Sequence, residues 1–158
     1  MNNILYSFLY AWAKLHGVLP MRILYILSDL FYIIIYKLVG YRLKVVRKNM
    51  KKSVPDKSAE ELKKLEQEFY HHFCDYVVET LKLSHISLEE VQRRAYLSNP
   101  ELVDDLMEKG HTTFILLMGH YGNWEWFSAS SSRFKSARVY QIYRPLTNLA
   151  FDRLFVYL

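Results

Sequence analysis

The sequence predicts an α/β protein in which a helical N-terminal segment precedes the start of a mostly parallel α/β domain. From residue 99 onward, helical and strand-like patterns alternate in the order helix, strand, helix, strand, helix, which is typical of a parallel sheet. One apolar run ends at a turn rich in glycine, Gly119 to Asn123, and such junctions are where α/β folds expose reactive groups. We therefore expect two regions, residues 1–54 and residues 55–158.

Composition supports a folded domain. The chain has 158 residues, of which 51% are hydrophobic, and this content excludes intrinsic disorder. Cys74 is the single cysteine, so no disulfide framework is possible and a reducing, cytoplasmic-side location is expected. The first apolar stretch carries Lys14 and no small-residue cleavage site, which argues against a cleavable signal peptide. The sequence stops at Leu158 within an apolar helical pattern, so we expect the front part of a longer protein.

The positive charge is concentrated in the N-terminal third. The net charge is +5, and before Pro55 the only acidic residue is Asp29. A segment that is basic, aromatic and apolar is typical of binding to an anionic membrane surface. Nucleic acid is the other usual partner of basic segments, but the dense apolar content favours lipid. The basic residues of this segment are Lys14, Arg22, Lys37, Arg42, Lys44, Arg47, Lys48, Lys51 and Lys52.

Three helices are predicted in this N-terminal region. Residues 3–16 and residues 21–39 form two apolar helices, and Gly40 ends the second. Each falls short of the ~20 apolar residues that a clean spanning helix needs. One of them spans imperfectly, or both lie in the interface as a hairpin. Residues 41–52 form a basic helix that lies near lipid head groups, with a solvated helix face as the alternative.

Capping signals mark the helices that follow. Ser58 and Glu61 form a capping box, and the helix that they begin runs to about residue 83 with an ordinary core stripe. Ser87 caps a shorter helix. Pro100 opens another helix, which Gly110 ends. The remaining expected elements are a short strand at 95–97, a strand at 112–118, a helix at 124–131, a strand at 138–142 and a helix from 147.

The turn after the second strand has the composition of a catalytic site. On one continuous helix, residues five apart lie about 140° apart around the axis, so His120 and Glu125 meet only if the histidine precedes the helix. Gly119 and Gly122 supply that break, and Asn123 is a good helix cap. A carboxylate that accepts one ring N–H makes the other nitrogen more basic. The alternative is a satisfied polar histidine followed by a glutamate favoured by the helix dipole.

Such a pair is a positioned general base without its own nucleophile. It suits a reaction in which the substrate brings a hydroxyl or amine that attacks an acyl donor. A metal site is not expected at His71 and His72, because adjacent helix residues point about 100° apart and do not converge. The serines of 128–132 lack the Gly-x-Ser-x-Gly pattern of a nucleophile elbow, and Cys74 has no obvious base beside it.

The residues around the turn carry a resemblance to a known family. The sequence Gly-His-Tyr-Gly-Asn-Trp-Glu at 119–125 resembles the H-x4-[D/E] block of bacterial lipid A biosynthesis acyltransferases, the late acyltransferases within the glycerolipid acyltransferase group. Members of that family are usually about twice this length. Three further segments are similar to the family's pattern: Arg47-Lys48-Asn49-Met50 with Val54-Pro55, in which Met and Val stand for Leu and Phe; Phe69-Tyr70-His71-His72-Phe73; and Tyr143-Arg144-Pro145-Leu146 with Asn148 and Asp152.

The resemblance implies a function. His120, assisted by Glu125, would deprotonate a hydroxyl of an acceptor lipid, such as a lipid A precursor, for attack on the thioester of acyl carrier protein or acyl-CoA. Arg144 and Asn123 would bind substrate, although Arg144 has the alternative role of tying down its loop. The resemblance implies the cytoplasmic face of the inner membrane, with no metal, cofactor or nucleic acid. The alternative is a non-catalytic lipid-binding protein or a truncated remnant.

Overall fold

The computed structural model describes residues 2–96, 98–130, 138–140 and 142–157, and 70% of these residues are helical. The helices are α1 (Asn2–Val18), α2 (Met21–Tyr32), a π-helical segment (Ile33–Val39), α3 (Leu43–Ser53), α4 (Ala59–Lys82), a 3₁₀ turn (Leu83–His85), α5 (Leu88–Arg94), α6 (Glu101–Glu108), α7 (Glu125–Ser130) and α8 (Leu149–Tyr157). The chain divides into two compact units, one of residues 19–79 and one of residues 1–18 and 80–158.

The predicted α/β fold with a parallel sheet is wrong, because the part of the chain that the structure describes is helical and contains no strand. Residues 112–118 are irregular, and Ile115 and Leu117 are 85% and 89% exposed. A strand needs a neighbour to pair its backbone N–H and C=O groups, and none is present among these residues. In the predicted strand 138–142, Ile142 is fully exposed, and residue 141 lies outside the described residues, as does residue 97 of the predicted strand 95–97.

Local capping predictions are confirmed. The Ser58 backbone N–H donates to the Glu61 carboxylate at 2.8 Å, and the Glu61 N–H donates to the Ser58 hydroxyl at 3.2 Å, which completes the capping box. The Ser87 hydroxyl accepts from the Glu90 N–H at 3.2 Å at the start of α5. Gly110 follows α6 with φ +90°, the left-handed conformation that glycine adopts most readily.

The unit of residues 1–18 and 80–158 is built on α1. The rings of Tyr10 in α1 and Tyr157 in α8 meet edge to face with 4.6 Å between their centroids. The Arg153 guanidinium lies 4.0 Å from the centre of the Tyr6 ring. Lys82 donates to the Gly17 carbonyl at 2.5 Å, and α5 packs against α7. Aromatic rings of α1 therefore contact both Tyr157 and Arg153 of α8.

In the 19–79 unit, α4 and the α2–π helix share an aromatic core and are also joined by hydrogen bonds. The Ser28 hydroxyl donates to Asp75 at 2.6 Å, and the Tyr36 hydroxyl donates to Glu66 at 2.8 Å. The Tyr32 ring stacks on a histidine of α4. Large apolar side chains lie on the exposed face of the α2–π helix: Ile23, Ile26, Leu30, Ile33, Ile34 and Leu38. The α2–π helix therefore buries one face against α4 and exposes large apolar side chains together with its charged residues, whereas an ordinary surface helix exposes mainly polar ones.

A sharp elbow joins the π-helical segment to α3. Gly40 has φ +64°, and the Tyr41 N–H donates back to the Ile35 carbonyl at 3.0 Å. Arg42, which is not a glycine, also adopts the left-handed region with φ +53°, a conformation that costs about 1–2 kcal/mol. The hydroxyl of Tyr70 in α4 donates to the Tyr41 carbonyl and holds the elbow against that helix.

The long helices do not include a single continuous span. Among the described residues, no one helix is both long and apolar enough to cross a membrane, whereas Met21–Val39 and Leu43–Ser53, bent by 97°, meet the requirement of length and composition as a pair.

Gly40→Ala should lower the free energy of unfolding by about 1–2 kcal/mol, since the new side chain must adopt a left-handed conformation and its Cβ would meet a Leu43 methyl carbon at 3.0 Å. Gly119→Ala is the matched control, because Gly119 has no positive φ and open space around it. Thermal or denaturant unfolding measures both variants. Equal stabilities of the two variants would contradict the strain argument.

Glu66 makes stability depend on pH. Hydrogen bonding from Arg47 is the main cause that lowers the pKa of the Glu66 carboxyl to about 2 from 4.5. A folded-state pKa below the unfolded value means that the stabilisation is complete above about pH 4.5 and is lost as the pH falls towards about 2. Glu66→Gln should therefore lower the free energy of unfolding by about 1–3 kcal/mol at pH 7 and by progressively less in acid.

The matched control for this substitution is Glu68→Gln, since Glu68 is exposed and lies 3.9 Å from its partner, Lys64. Urea unfolding from pH 7 to pH 2 measures all three proteins. A constant difference between wild type and Glu66→Gln over that range would refute the role of Glu66 ionisation.

Candidate functional site

The candidate site is the turn that leads into α7. The Tyr121 N–H donates to the Gly119 carbonyl at 2.9 Å, and Gly122 adopts φ +59°, a conformation that side chains beyond glycine rarely take. The Trp126 N–H donates to the Asn123 carbonyl at 3.3 Å at the start of the helix. The glycines and Asn123 therefore form the break that their sequence positions predict.

His120 and Glu125 lie on opposite sides of that break. His120 is exposed and precedes α7, whereas Glu125 is half-buried and is the first residue of the helix. This is the placement that the five-residue spacing predicts. The contact recorded for the imidazole is with the Trp124 indole, whose centroid lies 4.4 Å away with the ring planes tilted by 32°. The pairing of His120 with the Glu125 carboxylate stays a prediction.

The two tryptophans of this segment differ in their surroundings. Trp126 is 5% exposed and therefore packs within the protein. Trp124 is half-buried and contacts the candidate base directly. Sequence reasoning missed this contact, because His120 lies on an irregular turn, where sequence spacing does not determine side-chain directions.

Arg144 lies in an exposed segment that is fastened to α8. The Leu146 N–H donates to the Asp152 carboxylate at 2.7 Å. The Asn148 side-chain oxygen accepts from the Ala150 N–H at 3.0 Å and so caps α8. Asn148 and Asp152 thus hold the end of the loop that carries Arg144. Substrate binding by Arg144 itself, and by Asn123, stays a prediction.

His71 and Cys74, two further side chains of reactive types, take part in the packing of the 19–79 unit. The His71 ring stacks on Tyr32 with 3.6 Å between centroids, and its Nδ1 lies 3.8 Å from the Asp29 carboxylate. Burial raises the pKa of the Cys74 thiol to about 11, which disfavours the nucleophilic thiolate at neutral pH. No group of three His, Cys, Asp or Glu within the described ranges is arranged to hold a metal ion.

An exposed imidazole before a helix that begins with a carboxylate supplies the two side-chain types that general acid–base chemistry uses. A family model described as bacterial lipid A biosynthesis acyltransferase matches residues 2–155. The chain therefore belongs to this family, and its membership implies acyltransferase activity. No curated protein and no solved structure matches the chain.

Proposed function

We propose that the protein transfers a fatty acyl chain from an acyl thioester to a hydroxyl of a membrane lipid, such as a lipid A precursor, with His120 as the general base. The observation that carries the proposal is the exposed imidazole of His120 on the turn before α7, in a chain of the lipid A acyltransferase family. Exposure matters because the base must reach a proton on an external substrate.

In the proposed reaction, a ring nitrogen of His120 removes the proton of the acceptor hydroxyl as its oxygen attacks the thioester carbonyl carbon. The resulting tetrahedral oxyanion collapses, the C–S bond breaks, and the thiolate takes the proton from the imidazolium. The products are an ester and a free thiol, so no further reactant is needed. The Glu125 carboxylate would orient the imidazole and stabilise its charged form.

The two substrates are assigned by chemistry. Either an acyl carrier protein thioester or acyl-CoA would supply the same acyl group. The guanidinium of Arg144 offers paired N–H donors that suit a phosphate of donor or acceptor, and its segment is fastened through Asp152 and Asn148. Asn123 would contribute to substrate binding beside the base.

We also propose that the protein works at the cytoplasmic face of the inner membrane. Support comes from the 19–79 unit, whose α2–π helix turns polar groups such as Ser28 and Tyr36 towards α4. Its outer face exposes Ile26 at 64% and Leu38 at 75%. Apolar side chains on an outer face suit a hydrocarbon environment. The adjoining α3 carries Lys44, Arg47, Lys48, Lys51 and Lys52, and these cations complement anionic lipid.

His120→Ala should lower kcat for acyl transfer by about 10²–10⁴-fold, because general-base catalysis contributes a factor of this size. Glu125→Ala should also lower kcat. The measurement is transfer of a radiolabelled acyl chain from acyl carrier protein or acyl-CoA to extracted lipid. His111→Ala is the matched control, since it removes another exposed histidine of the same unit. Normal turnover by the His120 variant would overturn the mechanism and favour a non-catalytic lipid-binding protein.

Leu30→Lys should weaken binding to vesicles that contain phosphatidylglycerol by at least about tenfold, since it replaces apolar contact of about 1.5–3 kcal/mol with a charge. Leu102→Lys is a close control: Leu30 and Leu102 are both 51% exposed, but Leu102 lies in α6 and outside the proposed lipid-facing surface. Vesicle sedimentation compares the two. Equal retention would show that the outer face of α2 does not contact lipid.

A further inference from the structure

We propose that Trp124 is a positioning residue for His120: its indole holds the imidazole in the orientation that receives the acceptor proton. This inference rests on the proposed general-base role of His120. It starts from the contact between the two rings, with 4.4 Å between centroids and 32° between planes. Histidine is the one residue type in the turn 119–123 that commonly serves as a general base near neutral pH.

The need for a positioning residue follows from where His120 lies. The imidazole is exposed on an irregular turn outside α7, so no helical neighbour restricts its rotamer. An unrestrained side chain spends little time in the productive orientation, and misplacement by about 1 Å costs about 10²-fold in rate. A flat ring against one face of the imidazole removes most of the alternative rotamers and leaves the ring edge, with its nitrogens, accessible.

Trp124 is well placed for this task because its own backbone is fixed. The Trp124 carbonyl accepts from the Phe127 N–H at 3.0 Å at the start of α7. Two residues further on, Trp126 is 5% exposed and anchors the same helix, which packs against α5. The indole of Trp124 is half-buried, so one part of it is supported while the rest meets His120.

The contact also changes in strength during the reaction. Once His120 has taken the hydroxyl proton, the ring is an imidazolium, and the indole face is the aromatic surface that attracts cations most strongly. The gain is absent while the imidazole is neutral. An interaction realised only after proton transfer raises kcat and leaves KM unchanged. Trp124 therefore acts through His120 and need not touch either substrate.

The chain contains a second pair of the same kind, which separates ring packing from positioning for catalysis. In α1, Trp12 lies 4.1 Å from His16, with 49° between the rings. His16 is 8% exposed, and its Nδ1 bonds to the Trp12 carbonyl at 2.8 Å. That imidazole is closed off from substrate. The Trp12–His16 pair is therefore a matched structural control for Trp124–His120.

Three variants of the protein in membranes or detergent test the inference: Trp124→Leu, Trp124→Phe and Trp12→Phe. We expect Trp124→Leu to lower kcat about tenfold or more, with KM for donor and acceptor unchanged within about twofold. Trp124→Phe keeps an aromatic face and should lose less than about fivefold. Trp12→Phe should retain the wild-type kcat. Wild-type kcat in Trp124→Leu, or an equal loss in Trp124→Phe and Trp124→Leu, would overturn the inference.

A proton NMR measurement reports on the contact itself. The indole ring current displaces the His120 ring-proton resonances, so Trp124→Leu should move them towards their ordinary positions, whereas Trp12→Phe should move those of His16 instead. If Trp124→Leu does not fold, the smaller displacement expected in Trp124→Phe decides. Unmoved His120 resonances would overturn the inference. Failure of the proposed function is recognised separately: it requires that His120→Ala itself keeps normal activity.

Discussion

The ionised carboxylate of Glu66 is the group on which the 19–79 unit depends most. It is 3% exposed, so its charge is stable only because three side chains compensate for the lost water. Tyr36 donates from the π-helical segment, Arg47 from α3 at 2.6 and 3.1 Å, and Lys63 from the same helix as Glu66 at 3.1 Å. Arg47 and Lys63 are more than half exposed and keep much of their hydration, which lightens the cost of burying an ion pair. One carboxylate thus joins the three helical elements that meet at the elbow.

The helix predicted over residues 21–39 is present as α2 and the π-helical segment, and its contacts with α4 determine which face is buried. Ser28 and Asp29 are polar residues within an otherwise apolar stretch of the sequence. In the structure, Ser28 lies in the seam with α4, and the apolar side chains of Ile26 and Leu30 lie outside it. Hydrophobic periodicity identifies a helix but assigns its buried face on the assumption that water surrounds the protein. The exposed Ile26 and Leu38 depart from that assumption, which is why we propose that this face contacts lipid.

Whether each of the other predictions is right or wrong depends on how far apart in the chain the interacting residues lie. The capping box of Ser58 and Glu61 joins residues three apart, so the sequence contains all the information needed. A sheet joins residues far apart in the chain, and an apolar run such as 112–118 carries no information about its partner. The left-handed backbone of Arg42 could not be predicted from the sequence either, because no local signal favours arginine in that conformation. It follows from the elbow, where the Tyr70 hydroxyl binds the preceding carbonyl.

The candidate site contains one feature that the sequence predicts and one that it does not. The glycines around His120 break the chain locally, so the placement of the histidine before α7 and of Glu125 at its start could be predicted from spacing. The orientation of the imidazole could not, because a side chain on a turn has several rotamers of similar energy. In the structure, the imidazole lies against the indole of Trp124, and we propose that this contact restricts its rotamer. In the proposed mechanism, the tryptophan between the base and the carboxylate also sets the direction of the base, and a base that serves an external hydroxyl requires one.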